Sequence, residues 1–173
     1  MNNNWVIVTG ADRGIGESLA ARLADMDYGV IMACRNVEKA AHVFEHIRYI
    51  TSNRDVRLMP LDLSSLSSIA SFVRTVDEKA YNVRALVNNA GVLRKRCEKT
   101  VDGFEETVGV NYLGTYLLTR LMMPILLRSE GVSRVMNTVS AMVKFGRVDT
   151  DFFEVSPKEY RRMRPMPPPS SLC

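Results

Sequence analysis

A chain of 173 residues, 46% hydrophobic and 24% charged, suffices for one domain with a substantial core and has the composition of an ordinary globular protein, which excludes disorder and fibre for its bulk. The formal net charge is +4, but Lys158, Arg161, Arg162 and Arg164 against Glu159 place three of those charges near the C-terminal end. The body is nearly neutral and makes no case for a nucleic-acid partner.

Trp5-Val6-Ile7-Val8 is a short apolar run ending in Thr9-Gly10, the pattern of a buried strand entering a turn. From Ile15 the period becomes helical, with Ile15, Leu19, Leu23 and Met26 as the apolar stripe and Ala20, Ala21 and Ala24 allowing close approach. Val30 to Cys34 reads as a second buried strand, followed by a polar helix over 37–50 and a strand over 56–61. Ser64 or Ser65 caps the next helix, whose stripe is Leu66, Ile69, Phe72, Val73 and Val76. Ala85-Leu86-Val87 is strand four. A polar loop with Arg94, Lys95, Arg96 and Lys99 leads into a long helix over 104–128, and strand five covers 134–139. Strands alternating with helices in this way predict an α/β, doubly wound parallel sheet of about five strands. The expected division is a nucleotide-binding domain over 1–155 and an irregular Pro/Arg-rich tail over 156–173, since Pro165, Pro167, Pro168 and Pro169 suit neither helix nor central strand.

Thr9-Gly10-Ala11-Asp12-Arg13-Gly14-Ile15-Gly16 lies between the first strand and the first helix. Glycines there let the backbone turn sharply against a pyrophosphate, and the helix amino terminus directs unpaired N–H groups and a positive dipole end at the anion. An acidic residue after strand two would bind ribose hydroxyls, but this chain has Arg35 there and Arg13 in the turn. Two guanidinium groups suit a 2′-phosphate, so NADP(H) is expected over NAD(H).

The turn Thr-Gly-x-x-x-Gly-Ile-Gly resembles that of the short-chain dehydrogenase/reductase family. Asp62-Leu63, Asn88-Asn89-Ala90-Gly91, Val110-Asn111-x-x-Gly114 and Ser140 follow in the family's order. Ala33-Cys34-Arg35-Asn36 and the segment from Gly109 to Gly114 look most like the retinol dehydrogenase-like branch, which implies a hydrophobic carbonyl or alcohol substrate such as a retinoid or steroid. The resemblance implies a Rossmann-type fold in which Asp62 and Leu63 contact adenine, while Asn89, Ala90 and Gly91 line the adenosine ribose and floor the site. It also implies that Ser140 holds the substrate oxygen and that Asn111 positions the water of a proton relay.

The family's Tyr-x-x-x-Lys pair does not occur in the 173 residues: Tyr160 is followed one turn later by Arg164, which directly precedes Pro165. The expectation is a chain resembling a C-terminally truncated family member, with cofactor recognition kept and proton transfer lost. Strand five would become an exposed edge, and the long helix would lose its cover, leaving an apolar patch that favours low stability, aggregation or association with another chain. The alternatives are a non-catalytic NADP-binding or interaction protein and an unstable splice or gene-model fragment.

Three other signals point away from further chemistry. His42 and His46 are four apart but have no third ligand, so no metal is expected. Cys34, Cys97 and Cys173 read as free thiols of a reducing compartment, and the first apolar run is too short for a signal peptide or membrane span, so a cytoplasmic protein is expected. Arg162-x-x-Pro165-x-x-Pro168 fits a polyproline ligand, a pattern that Arg/Pro-rich tails produce easily.

Overall fold

The structure, a computed structural model, describes residues 4–94 and 96–140. Tyr160, Arg164, the proline-rich pattern, Cys173 and the expected boundary after residue 155 lie outside the described residues.

Five strands, β1 (Trp5–Thr9), β2 (Gly29–Cys34), β3 (Val56–Pro60), β4 (Val83–Asn88) and β5 (Arg134–Asn137), pair in parallel in the order β3-β2-β1-β4-β5. Every residue of β1 and β2 is buried, which explains their uninterrupted apolar runs. The side-chain period of two splits the core into halves. Trp5 and Ile7 of β1 point into one cluster with Ile69 and Phe72 of α3 (Leu66–Glu78) and Leu118 and Met122 of α5 (Thr115–Arg128). Val6 and Val8 point into the other, with Ala20 and Ala24 of α1 (Gly14–Asp25) and Val43 and Ile47 of α2 (Val37–Thr51). The sheet is thus doubly wound, as expected. Its strand order reverses at β1, where the C-terminal ends of β1 and β4 part to leave a crevice.

Local chemistry sets the helix starts. Asn36 caps α2 by accepting a bond from the Lys39 N–H at 2.8 Å, and Ser65 caps α3 by accepting from Ser68 at 3.3 Å. Asp102, from a distant loop, also accepts a bond from the Leu66 N–H at the start of α3.

Three predicted features differ from the structure. The stripe of α1 that meets the sheet is Gly16, Ala20 and Ala24, while Ile15 is 70% exposed and Met26 is also exposed. Small residues win because they let the helix axis approach the sheet closely, with Leu19 and Leu23 packing at the flanks. The single long helix over 104–128 is three pieces: a short turn α4 (Glu106–Val108), a π-helical stretch Gly109–Gly114, and α5. A Cβ on Gly114 would lie 2.1 Å from the Leu63 carbonyl oxygen, so only glycine permits this approach. Strand β5 ends at Asn137 rather than 139, and all four of its residues are exposed.

Candidate functional site

The crevice at the switch point is an open cleft of about 330 Å³ built from four strand ends. Thr9, Gly10, Asp12 and Arg13 follow β1, and Ala33, Arg35, Asn36 and Lys39 belong to the end of β2 and the start of α2. Leu61, Asp62 and Leu63 follow β3, and Asn89, Ala90, Gly91 and Val92 follow β4. Val110 closes the wall from the π-helical stretch.

The residues expected at the phosphate turn divide by role. Thr9 is buried, and its hydroxyl donates to Val87 O at 3.3 Å while accepting from the Asn89 and Ala90 N–H groups at 3.0 and 2.9 Å. One donor and two lone pairs are thereby used, so this hydroxyl ties the end of β1 to the segment after β4. The Asn89 amide donates to Thr9 O at 3.0 Å and Gly10 O at 3.3 Å, adding a second tie between the same segments. Gly16 does not line the cleft: a Cβ there would lie 2.1 Å from Gly10 O and 2.5 Å from Asn89 Nδ2, so glycine lets α1 seat on the turn. Gly14 has a φ of +56° with open space around it, and with Ile15 it lies outside the cleft lining at the start of α1. Arg13 precedes α1 in extended backbone; its guanidinium has no acceptor with which to cap the helix, and its carbonyl oxygen accepts from the Glu17 N–H at 3.3 Å.

Charge is uneven along the lining. Arg13, Arg35 and Lys39 face the cleft with Asp12 and Asp62. The Asp62 carboxylate accepts from the Ser64 N–H at 2.9 Å and the Ser64 hydroxyl at 2.7 Å, which holds the turn after β3. Arg35 also lies 3.6 Å from Glu106. Lys39 and Asn36 were not among the residues expected to bind, although Lys39 sits one turn into the polar helix after Arg35 and so carried a readable signal. Val110 was hidden by its apolar character. Burial, then the nearby Asp12 charge, pushes the Cys34 thiol up to about 12, so it stays protonated and unreactive at neutral pH.

Of the two expected catalytic residues, Asn111 borders this cleft beside Gly91 and Val92, and Ser140 follows β5. Asn111 lies in the π-helical stretch, where its side chain accepts from the Val92 N–H at 2.8 Å and donates to Val92 O at 2.8 Å. That reciprocal pair uses one of the amide's two N–H groups and one of its oxygen lone pairs to hold the loop after β4. Ser140 is exposed three residues past β5. Neither lines the cleft among the described residues.

The cleft fits a dinucleotide: close-approach glycine beneath the turn, a helix start, cationic side chains and apolar walls from Leu61, Leu63 and Val110. Comparison with known proteins agrees. Residues 4–151 match the family model for short chain dehydrogenase. The chain is 43% identical over 155 residues to retinol dehydrogenase 13 of Mus musculus, covering 90% of this chain and 46% of that protein. It is 42% identical over 141 residues to polyprenol dehydrogenase of Homo sapiens, covering 80% of this chain and 43% of that protein. The chain thus spans about half the length of these relatives. A solved short chain dehydrogenase from Escherichia coli CFT073, complexed with NADPH, superposes with a TM-score of 0.72 at 27% identity, covering 89% of this chain and 66% of that one. By its motif order, its doubly wound sheet and these matches, the chain belongs to the short-chain dehydrogenase family of oxidoreductases.

Proposed function

We propose that this chain is the cofactor-binding part of a short-chain dehydrogenase that takes NADP(H) in preference to NAD(H) and serves a hydrophobic carbonyl or alcohol. The observation that carries the cofactor reading is that Arg13, Arg35 and Lys39 line the cleft after β1 and β2, with no carboxylate directly after β2. A 2′-phosphate brings negative charge to these cations, whereas ribose hydroxyls alone do not exploit them. The relatives' names, retinol and polyprenol dehydrogenase, support a hydrophobic alcohol as the substrate class.

The nicotinamide cofactor would supply or accept the hydride. This chain's residues bind its phosphates at the Gly10 to Gly16 turn and its adenosine half against Asp62, Leu63, Ala90 and Val110. Ser140 would hold the substrate oxygen, and Asn111 keeps the loop after β4 in place. Because the 173 residues contain no Tyr-x-x-x-Lys, the reading assigns them binding without efficient proton transfer.

Titration by fluorescence energy transfer and thermal shift tests this. NADPH should bind at least about tenfold more tightly than NADH, the worth of one charge-assisted contact. Equal affinity, or no response at millimolar cofactor, would overturn the reading. Carbonyl reduction that is robust and lost in Ser140→Ala would show that the chain turns over by itself.

A second reading is favoured by β5 and by the exposed Tyr112, Tyr116 and Leu121 along the π-helical stretch and α5. In it, the chain binds cofactor and associates with another chain through these surfaces. A mass measurement that stays monomeric across the working concentration range would count against it.

A further inference from the structure

Glu106 is a carboxylate whose side chain is only 9% exposed, held at the start of α4. A buried charge must be neutralised, and two guanidinium groups reach this one. Arg94 grips it with a two-bond fork, Nε to Oε2 at 2.6 Å and Nη2 to Oε1 at 2.5 Å. Arg35 approaches Oε1 at 3.6 Å, an ion-pair contact longer than a hydrogen bond. The arginine that faces the cleft therefore shares a buried carboxylate with one that does not line it. Glu98, half exposed, lies 3.5 Å from Arg94 as an additional, more screened anion.

The geometry decides which arginine carries the neutralisation. Arg94 bonds both carboxylate oxygens in the strongest arrangement available to these groups, taking one lone pair on each. Arg35, 55% exposed, is steered by the carboxylate without being committed to it, and keeps donors available to an anion in the cleft. If Arg94 were neutral, Arg35 would be the cation left beside Glu106 among the described ion pairs, and the carboxylate would compete with an incoming phosphate for it.

We propose that Arg94, acting through Glu106, determines cofactor specificity: it occupies the buried carboxylate so that Arg35 remains available to the 2′-phosphate of NADP(H). Arg94 is on this view a positioning residue that does not itself line the cleft. The inference rests on the NADP(H) reading given above.

The test is the ratio of NADH to NADPH dissociation constants, measured by fluorescence titration on the 173-residue chain and its variants. Arg94→Met should lower the ratio about tenfold, the scale of one weakened charge-assisted hydrogen bond, with NADH affinity within about twofold of the starting value. Glu106→Gln should not lower it. The double variant Arg94→Met/Glu106→Gln should restore it to within about threefold, because the competing carboxylate is gone. Simple destabilisation would weaken both cofactors together and leave their ratio unchanged, whether or not Glu106→Gln restores stability by removing the unpaired buried charge.

An unchanged ratio in Arg94→Met, a fall in Glu106→Gln, or a double variant no better than Arg94→Met would overturn the inference while leaving the NADP(H) reading intact. An unsubstituted chain that binds both cofactors equally would overturn that reading, and the inference with it. If Arg94→Met is insoluble, Arg94→Lys and Glu106→Gln decide the matter. Both keep Arg35 uncommitted and should preserve the ratio, and a fall in either sinks the idea.

Discussion

At the residue scale, the phosphate turn shows two glycines kept for different reasons. Gly16→Ala drives a Cβ into the Gly10 carbonyl oxygen, and backbone cannot step aside cheaply, so the variant should lose at least about 2 kcal/mol of stability and much of its cofactor affinity. Gly14→Ala meets no atoms and suffers only the left-handed backbone, so it should lose about 1 kcal/mol. Denaturant unfolding of the two variants checks this order, and a larger loss for Gly14→Ala would contradict it. Glu106 gives a pH prediction. Hydrogen bonds from Arg94, aided by the Arg94 and Arg35 charges and opposed by burial, hold its carboxyl below the ordinary value of 4.5. A folded pKa below the unfolded one means that stabilisation is full above about pH 5 and fades as pH falls through the lowered folded value. The melting-temperature gap between the unsubstituted chain and Glu106→Gln should therefore be widest at neutral pH and narrow towards about pH 3. A gap that stays constant would show that the ion pair contributes nothing.

At the element scale, caps and small faces explain what periodicity alone misplaces. The apolar repeat from Ile15 to Met26 correctly indicates a helix, yet the face that packs is Gly16, Ala20 and Ala24. Hydrophobicity marks which residues prefer burial, whereas a tight crossing over the sheet selects those that occupy least space. The π-helical stretch is similar: Gly109 and Gly114 were visible in the sequence, but their purpose depends on Thr100 and Leu63, which arrive from other segments. Helix α2 offers a clean measurement. Asn36→Ala removes the acceptor for the Lys39 N–H at the cleft edge and should cost about 1 kcal/mol. No change in unfolding free energy would mean that the cap is replaceable. Helix α5 is anchored by Leu118, which is fully buried between sheet and α3, and Leu118→Ala should cost about 3 kcal/mol.

At the scale of the whole molecule, the sheet is covered on both faces through β1, β2 and β4, but β5 is exposed along its length. Val135 and Met136 are open, and Met123, Leu126 and Leu127 line a shallow groove beside Arg134 and Val135. An edge strand carrying apolar side chains is a template for further pairing. Met136→Lys should reduce concentration-dependent light scattering while leaving the melting temperature nearly unchanged, because an exposed side chain contributes little to the core. Unaltered scattering would place the sticky surface elsewhere, with the Tyr112 and Tyr116 pair the next candidate.

The sequence by itself determined the order of strands and helices, the glycine turn, the family and the cationic character of the cleft, since each depends on local pattern or on motifs read in register. Trp5 to Val8 reads locally as a buried strand, and Asn36 and Ser65 cap α2 and α3 from the adjoining residues, although α3 also draws on Asp102 from a distant loop. Only the tertiary structure decided what each motif residue does. Thr9 spends its hydroxyl on Val87, Asn89 and Ala90, and Asn111 gives one N–H and one oxygen lone pair of its amide to Val92. Arg35 shares Glu106 with Arg94. Those partners are 12 to 81 residues away in the chain or belong to other elements, so no local pattern announces them. A motif identifies the donors and acceptors a segment carries, but which are consumed in holding the fold, and which remain for a ligand, depends on the long-range packing that brings them together.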